Sequence, residues 1–136
     1  MLLDGDGNCA RRKAGVEEKA AGAGLLTKAA ASPGPLFHML NRVAVQAPQA
    51  WWLGDRAASM AACPGIWPAH FRGVARGPGQ LPKPNATLWQ VLKHGCYFAA
   101  SKRKAQGASA VGPHLDPARN TSASFRCCCE GLAARQ

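Results

Sequence analysis

The scarcity of bulky apolar side chains restricts the fold of this 136-residue chain more than any other feature. Leucine, isoleucine, valine and phenylalanine together account for 23 residues, whereas alanine occurs 27 times. Alanine buries little surface, and charged chains in which those four residues fall below about 20% tend towards disorder. Four tryptophans and three methionines add apolar volume. We therefore expect room for one small and loosely packed core.

Strand signals are weak throughout the chain, which favours a helical fold. No run of alternating valine and isoleucine predicts a half-buried strand. Residues 35–47 carry the most regular helical pattern, with Pro35 suited to the first helical position and apolar side chains at helical spacing: Leu36, Met39, Leu40, Val43 and Ala47. The predicted class is mainly α, with two to four short helices, long irregular or disordered segments, and no extensive sheet.

Proline, glycine and charge divide the chain into five predicted segments. They are a flexible N-terminus (1–13), a helical region (14–62, with its best helices at 35–47 and 49–62), a proline- and glycine-rich basic loop (63–84), a short helical or mixed segment with a basic end (85–104), and a disordered tail (105–136). The loop assignment rests on its many prolines and glycines. The tail assignment rests on its small and polar side chains.

Positive charge is concentrated in the centre of the chain. The formal net charge is +10, and no acidic residue occurs between Asp55 and Asp116. Eight arginines and lysines fall in the same interval. Such an excess favours a polyanionic partner such as RNA, because basic side chains neutralise phosphates and release their counterions.

The same basic region holds the candidate nucleic-acid contacts. Arg72 and Arg76 stand in Arg-Gly steps, and an arginine side chain both contacts phosphates and stacks on bases. The candidate set combines basic residues with two neighbouring aromatic residues: Arg72, Arg76, Lys102, Arg103, Lys104, Trp67 and Phe71. Residues 102–104 also fit a nuclear-import signal.

The six cysteines do not form a pattern that binds metal ions. Three stand alone in the sequence, and the other three are adjacent, as Cys127, Cys128 and Cys129. Adjacent thiolates cannot all point at one ion, so no metal site is predicted. The preferred interpretation of residues 127–129 is exposed, reactive thiols in the disordered tail. The alternative is palmitoylation of the same three cysteines at a membrane.

Motifs for catalysis and for membrane insertion are not found in the sequence. A nucleophile elbow, a phosphate-binding glycine loop and paired central acids are all missing, which predicts a protein that is not an enzyme and takes no cofactor. The first residues lack the basic and apolar regions of a secretory signal. The longest charge-free run, residues 57–71, contains two prolines and is too short to span a bilayer. We expect a soluble intracellular protein of the nucleus or cytoplasm.

The favoured functional prediction follows from the base composition of the codons that encode the chain. Alanine, glycine, proline and arginine, whose codons are GC-rich, make up 62 of 136 residues. The composition resembles that of products of short GC-rich reading frames, a resemblance that identifies no family. It favours a small basic protein without a defined biochemical activity. Two alternatives remain: non-specific RNA association through the acid-free residues 56–104, and peripheral membrane binding through the helix at 35–47 and the terminal cysteines.

Overall fold

The computed structural model describes residues 1–5, 8–31, 36–74, 77–95 and 104–134. Helices dominate these ranges, so the predicted mainly α class is confirmed, but the described residues form six α-helices rather than the predicted two to four. The elements in chain order are β1 (Leu2–Asp4), α1 (Cys9–Gly22), β2 (Arg42–Ala44), α2 (Gln49–Gly54), α3 (Arg56–Ala62), α4 (Pro84–His94), α5 (Lys104–Val111) and α6 (Ala123–Ala133). Three short 3-10 helices span Pro68–Phe71, Pro78–Gln80 and Gly112–His114.

The N-terminal residues form a strand and the start of a helix. β1 pairs with β2 in parallel, and Leu3 lies opposite Val43 in this two-stranded sheet. Asn8 then caps α1, because its side chain accepts a hydrogen bond from the Arg11 backbone N–H at 3.0 Å. The prediction of a flexible N-terminus at 1–13 therefore does not hold for its described residues, 1–5 and 8–13, which form a strand and the first turns of a helix.

The helix predicted at 35–47 is also wrong. The described part of this segment is extended, and β2 occupies its second half. The backbone N–H of His38 donates to Leu26 O at 2.7 Å, and that of Arg42 donates to Met1 O at 2.8 Å. Leu36, on the predicted apolar face, is 82% exposed. Long-range pairing gives this backbone the partners that a helix would supply within itself.

The helix predicted at 49–62 is present but is interrupted at Asp55. The backbone of Asp55 leaves the helical conformation, with φ −125° and ψ 85°, between α2 and α3. Its carboxylate then accepts a hydrogen bond from the Ala58 backbone N–H at 3.0 Å and caps α3. An aspartate at a helix N-terminus satisfies donors that have no partner within the helix.

Tryptophan supplies the core volume that branched aliphatic residues do not. Trp51, Trp52 and Trp89 are all buried, and Leu88 and Leu92 of α4 are fully buried beside them. α2 packs on α4, and α5 covers both through Gly107. A methyl group at Gly107 would lie 3.2 Å from the Trp52 ring and 3.4 Å from the Trp89 ring. The glycine therefore lets α5 lie directly on the two indoles.

The predicted basic loop at 63–84 contributes to the same core. It contains two of the 3-10 helices, and five of its described side chains are buried in the hydrophobic core: Cys63, Ile66, Phe71, Val74 and Leu81. α4 follows immediately and begins at Pro84, which needs no hydrogen bond at the first helical position. The many prolines and glycines therefore predict the irregular backbone of residues 63–84, but they do not predict that its apolar side chains are buried.

The predicted disordered tail at 105–136 is not confirmed, because its described residues are largely helical and docked on the core. Arg119 donates to Asp55 from Nε at 2.8 Å and from Nη2 at 2.9 Å. Asn120 is buried, and its Nδ2 donates to Trp51 O at 2.8 Å. Hydrogen bonds from polar side chains hold this segment, so its low hydrophobicity does not predict disorder.

Candidate nucleic-acid interface

The two aromatic residues of the predicted contact set have opposite environments. Trp67 is 65% exposed, whereas Phe71 is 1% exposed and lies in the core. The Arg56 guanidinium lies 5.6 Å from the Phe71 ring centroid and donates through Nη2 to Val74 O at 2.7 Å. The prediction that Phe71 stacks on a base is therefore wrong, because surrounding side chains enclose its ring.

One basic residue of the predicted set has a described side chain. Arg72 is exposed, and no carboxylate within the described ranges forms an ion pair with it. Arg76, Lys102 and Arg103 lie outside the described residues, and Lys104 is described through its backbone alone, as the first residue of α5. Among the predicted contacts whose side chains are described, Trp67 and Arg72 lie at the surface.

A single turn of 3-10 helix, Pro68–Phe71, separates Trp67 from Arg72. The Trp67 backbone N–H donates to Nδ1 of His70 at 3.1 Å, and the His70 N–H donates to Trp67 O at 2.9 Å. The Arg72 N–H donates to Ala69 O at 3.1 Å. These bonds fix the backbone on both sides of the turn, so the Cα atom that carries the exposed indole of Trp67 has a defined position.

Two glycines bring the end of α4 against this turn. A Cβ atom at Gly65 would lie 2.8 Å from Gly95 O, and one at Gly95 would lie 2.5 Å from Ile66 Cγ1. No larger residue fits either position without moving its neighbour. The close backbone contact places His94 next to His70, and their rings stack with centroids 5.4 Å apart and planes 14° apart.

The hydrogen bond to His70 defines what this ring offers a ligand. Because Nδ1 accepts from the Trp67 N–H, the neutral ring carries its proton on Nε2. Nε2 is then a donor, which suits a phosphate oxygen and does not suit a metal ion. Among the described residues, no group of three histidine, cysteine or acidic side chains is placed to hold a metal ion.

We call Trp67, His70, Arg72 and His94 the Trp67 surface. It combines an aromatic face, a guanidinium and a neutral N–H donor on adjoining segments. The two histidines were missed in the sequence because they come from separate elements, and no spacing rule relates them. Their meeting depends on Gly65 and Gly95, whose close approach is visible only in three dimensions.

The terminal cysteines lie on a helix rather than in a disordered tail. α6 exposes Cys127 and half-buries Cys128 and Cys129. Burial raises the pKa of the Cys128 thiol, and the neighbouring Cys129 raises it further despite the opposing charge of Arg42. Burial and Glu130 raise the pKa of Cys129. A raised pKa makes both thiols less reactive as nucleophiles. The palmitoylation of residues 127–129 stays a prediction.

The membrane-peripheral alternative loses one of its two supports. It required an amphipathic helix at 35–47, and that segment forms β2 and extended chain instead. No helix in the described part of the chain is long and apolar enough to cross a membrane.

Comparison with known proteins gives no relative from which a function could be transferred. No protein-family model, curated protein sequence or solved structure matches the chain. Any functional assignment therefore rests on the geometry of the side chains themselves.

Proposed function

We propose that this protein binds single-stranded nucleic acid, RNA in particular, through the Trp67 surface and with little sequence preference. The exposure of Trp67 carries the proposal. Trp67 is 65% exposed, whereas the other three tryptophans of the chain are buried. An exposed indole offers an aromatic face on which the base of an unpaired nucleotide can stack.

The chemistry of the surrounding side chains matches a nucleotide. Every base has a π face that can stack on the indole of Trp67, and stacking contributes about 1–3 kcal/mol per base. Arg72 is a permanent cation that can contact a phosphate or stack on a base. His70 offers Nε2–H as a neutral donor at the same surface. Readout of base edges is not required, so weak sequence preference follows.

The charge distribution along the chain also favours a nucleic-acid ligand. The formal net charge is +10, and no acidic residue lies between Asp55 and Asp116. The Asp55 carboxylate is buried and paired with Arg119, so its charge is neutralised within the fold. Most of the binding free energy should come from counterion release, and affinity should fall steeply with salt.

Fluorescence anisotropy of a labelled single-stranded RNA tests this proposal. Trp67→Ala should weaken binding by roughly 5- to 150-fold, the equivalent of one lost stacking contact. Arg72→Ala should lower the salt slope by about one unit, and Arg72→Ala with Arg76→Ala by up to about two. Arg72→Lys should keep most of the slope and weaken single-stranded RNA more than duplex.

Matched control variants distinguish binding at the Trp67 surface from a general effect of net charge or of exposed apolar side chains. Arg11→Ala removes the same charge from an exposed position on α1, and Leu36→Ala removes an apolar side chain that is 82% exposed. Neither should change binding beyond twofold. If Arg11→Ala weakens binding as much as Arg72→Ala, or a scrambled chain of identical composition binds equally at physiological salt, the proposal fails. The first expectation, a protein without a defined activity, would then stand.

We also propose that the chain is not an enzyme. The support is the sequence, which carries no nucleophile elbow, no phosphate-binding glycine loop and no paired central acids. Hydrolysis of the bound RNA over the time of the titration would contradict this.

A further inference from the structure

A second concave surface lies on different residues and has a different character. A groove of about 490 Å³ runs between β1, residues 38–42 and α6, and we call it the α6 groove. Its walls are mainly large apolar side chains: Met1, Leu2, Leu40, Trp51, Phe125 and Leu132. Three of these keep about half of their surface exposed, Met1 54%, Leu2 47% and Leu132 58%. Its volume and apolar lining are typical of small-molecule sites.

One arginine, Arg42, also lines this apolar groove, and its guanidinium lies against α6. Arg42 donates from Nε to Cys127 O at 3.1 Å and passes beneath Gly131. A Cβ atom at Gly131 would lie 2.7 Å from Arg42 Nη2 and 3.0 Å from Leu40 Cδ1. The glycine therefore makes the space that the guanidinium occupies.

The charge of Arg42 has no counter-ion within the described ranges. No carboxylate there forms an ion pair with it, and no acidic side chain lines the groove. His38 also lines the groove, and its Nδ1 accepts from the Leu26 N–H at 2.9 Å, which leaves Nε2 as a further donor. A half-buried cation beside apolar walls calls for a ligand with one negative charge and a long apolar part.

We propose that the α6 groove binds a long-chain fatty carboxylate. The hydrocarbon chain lies against Leu2, Phe125 and Leu132, and the carboxylate accepts hydrogen bonds from Arg42. The site shares no residue with the Trp67 surface, so each can fail without the other.

Displacement of the fluorescent fatty acid cis-parinaric acid by palmitate, with both kept below their micellar concentrations, measures this binding on the full chain. Binding should be saturable, and the neutral hexadecanol should bind about tenfold more weakly than palmitate, because it lacks the charge-assisted bond to Arg42. Leu132→Glu should weaken palmitate binding by tenfold or more, since it adds a negative charge to the groove. Leu36→Glu makes the same change at an exposed position outside the groove and should have no effect.

Thiol protection gives a second measurement that does not depend on the probe. Cys128 and Cys129 line the α6 groove, whereas Cys127 lines a different cavity beside Cys9. Bound palmitate should slow alkylation of Cys128 and Cys129 by N-ethylmaleimide at least fivefold and leave Cys127 unchanged. The proposal is overturned if Cys127 is protected equally, if Leu132→Glu and Leu36→Glu have the same affinity, if hexadecanol binds as tightly as palmitate, or if binding requires anionic vesicles.

Discussion

Replacing Asp55 should cost more stability than any other single change at a polar side chain. The Asp55 side chain is fully buried, and each of its oxygens accepts two hydrogen bonds. Oδ1 accepts from the Ala58 N–H at 3.0 Å and from Arg119 Nε at 2.8 Å. Oδ2 accepts from the Asp116 N–H at 3.0 Å and from Arg119 Nη2 at 2.9 Å. One carboxylate thus joins α3 to the segment that precedes α6.

The expected loss follows from these contacts. Asp55→Ala leaves two backbone N–H groups without an acceptor, at about 1–3 kcal/mol each, and removes the cap of α3. The guanidinium of Arg119 is 47% exposed and can turn to water, so its loss adds little. We expect Asp55→Ala to lower the free energy of unfolding by about 3–5 kcal/mol, and Arg119→Ala to lower it by less, because the guanidinium is exposed. The melting temperature of Asp55→Ala should fall by roughly 10–20 °C.

The acid dependence of stability provides an independent test with Asp55→Asn. Burial opposes ionisation, but the hydrogen bonds from Arg119, Asp116 and Ala58 outweigh it and hold the pKa of Asp55 below its usual value. The unfolded chain therefore takes up the proton first as the pH falls. The stabilisation is complete above the unfolded pKa, about 3.9, and is lost as the pH falls through the lower folded value.

Urea unfolding, followed by tryptophan fluorescence between pH 6 and pH 2, measures both effects. The difference in unfolding free energy between the wild type and Asp55→Asn should be constant near pH 6 and shrink below about pH 4. Arg11→Ala, at an exposed position on α1, should leave the unfolding free energy nearly unchanged. A difference that stays constant down to pH 2, or an Asp55→Ala variant as stable as the wild type, would refute the assigned role of the carboxylate.

Three further changes probe other parts of the fold. Gly95→Ala should destabilise by about 1–3 kcal/mol in urea unfolding, because its methyl group would lie 2.5 Å from a neighbouring side chain, whereas Gly15→Ala, in open space on α1, should stabilise by about 0.5–1 kcal/mol. Equal effects would contradict the close contact. Among the five cysteines that the structure describes, iodoacetamide should label exposed Cys127 first and Cys63 last, because burial encloses Cys63 and raises its pKa; mass spectrometry gives the order. Asn41→Leu should cost no more than about 1 kcal/mol, because it removes a buried Oδ1 that accepts no hydrogen bond and loses one long bond, from Asn41 Nδ2 to Glu17 Oε1 at 3.3 Å.

The helices within residues 49–62 and in α4 follow local signals in the sequence. Apolar spacing and flanking prolines are sufficient for α4 and for the helical segment at 49–62, because a helix closes its hydrogen bonds between near neighbours. The break at Asp55 could have been anticipated from the capping preference of aspartate. Its buried pairing with Arg119 could not, since 64 positions separate the two residues.

The failures share a physical cause. Residues 35–47 have helical periodicity, yet β1 offers that backbone a parallel partner and the helix does not form. Phe71 and Trp67 look alike in the sequence, and their opposite burial is decided by which side of one 3-10 turn faces the core. At 105–136, composition predicted disorder because polar side chains were counted as solvated. Asn120 and Ser122 are instead buried within a hydrogen-bonded network.

The bond from Arg42 to Cys127 O joins residues 85 positions apart, so it can form only late in the synthesis of the chain. Ribosomes add residues from the N-terminus at about 5–20 per second, so Arg42 is made roughly 4–17 s before Cys127. During that interval β2 exists without the helix that packs on it, and the indole of Trp51 lacks Phe125 as its neighbour. The nascent chain therefore exposes apolar surface, to which chaperones can bind, for several seconds. Its N-terminal half cannot reach its final packing until α6 has left the ribosome.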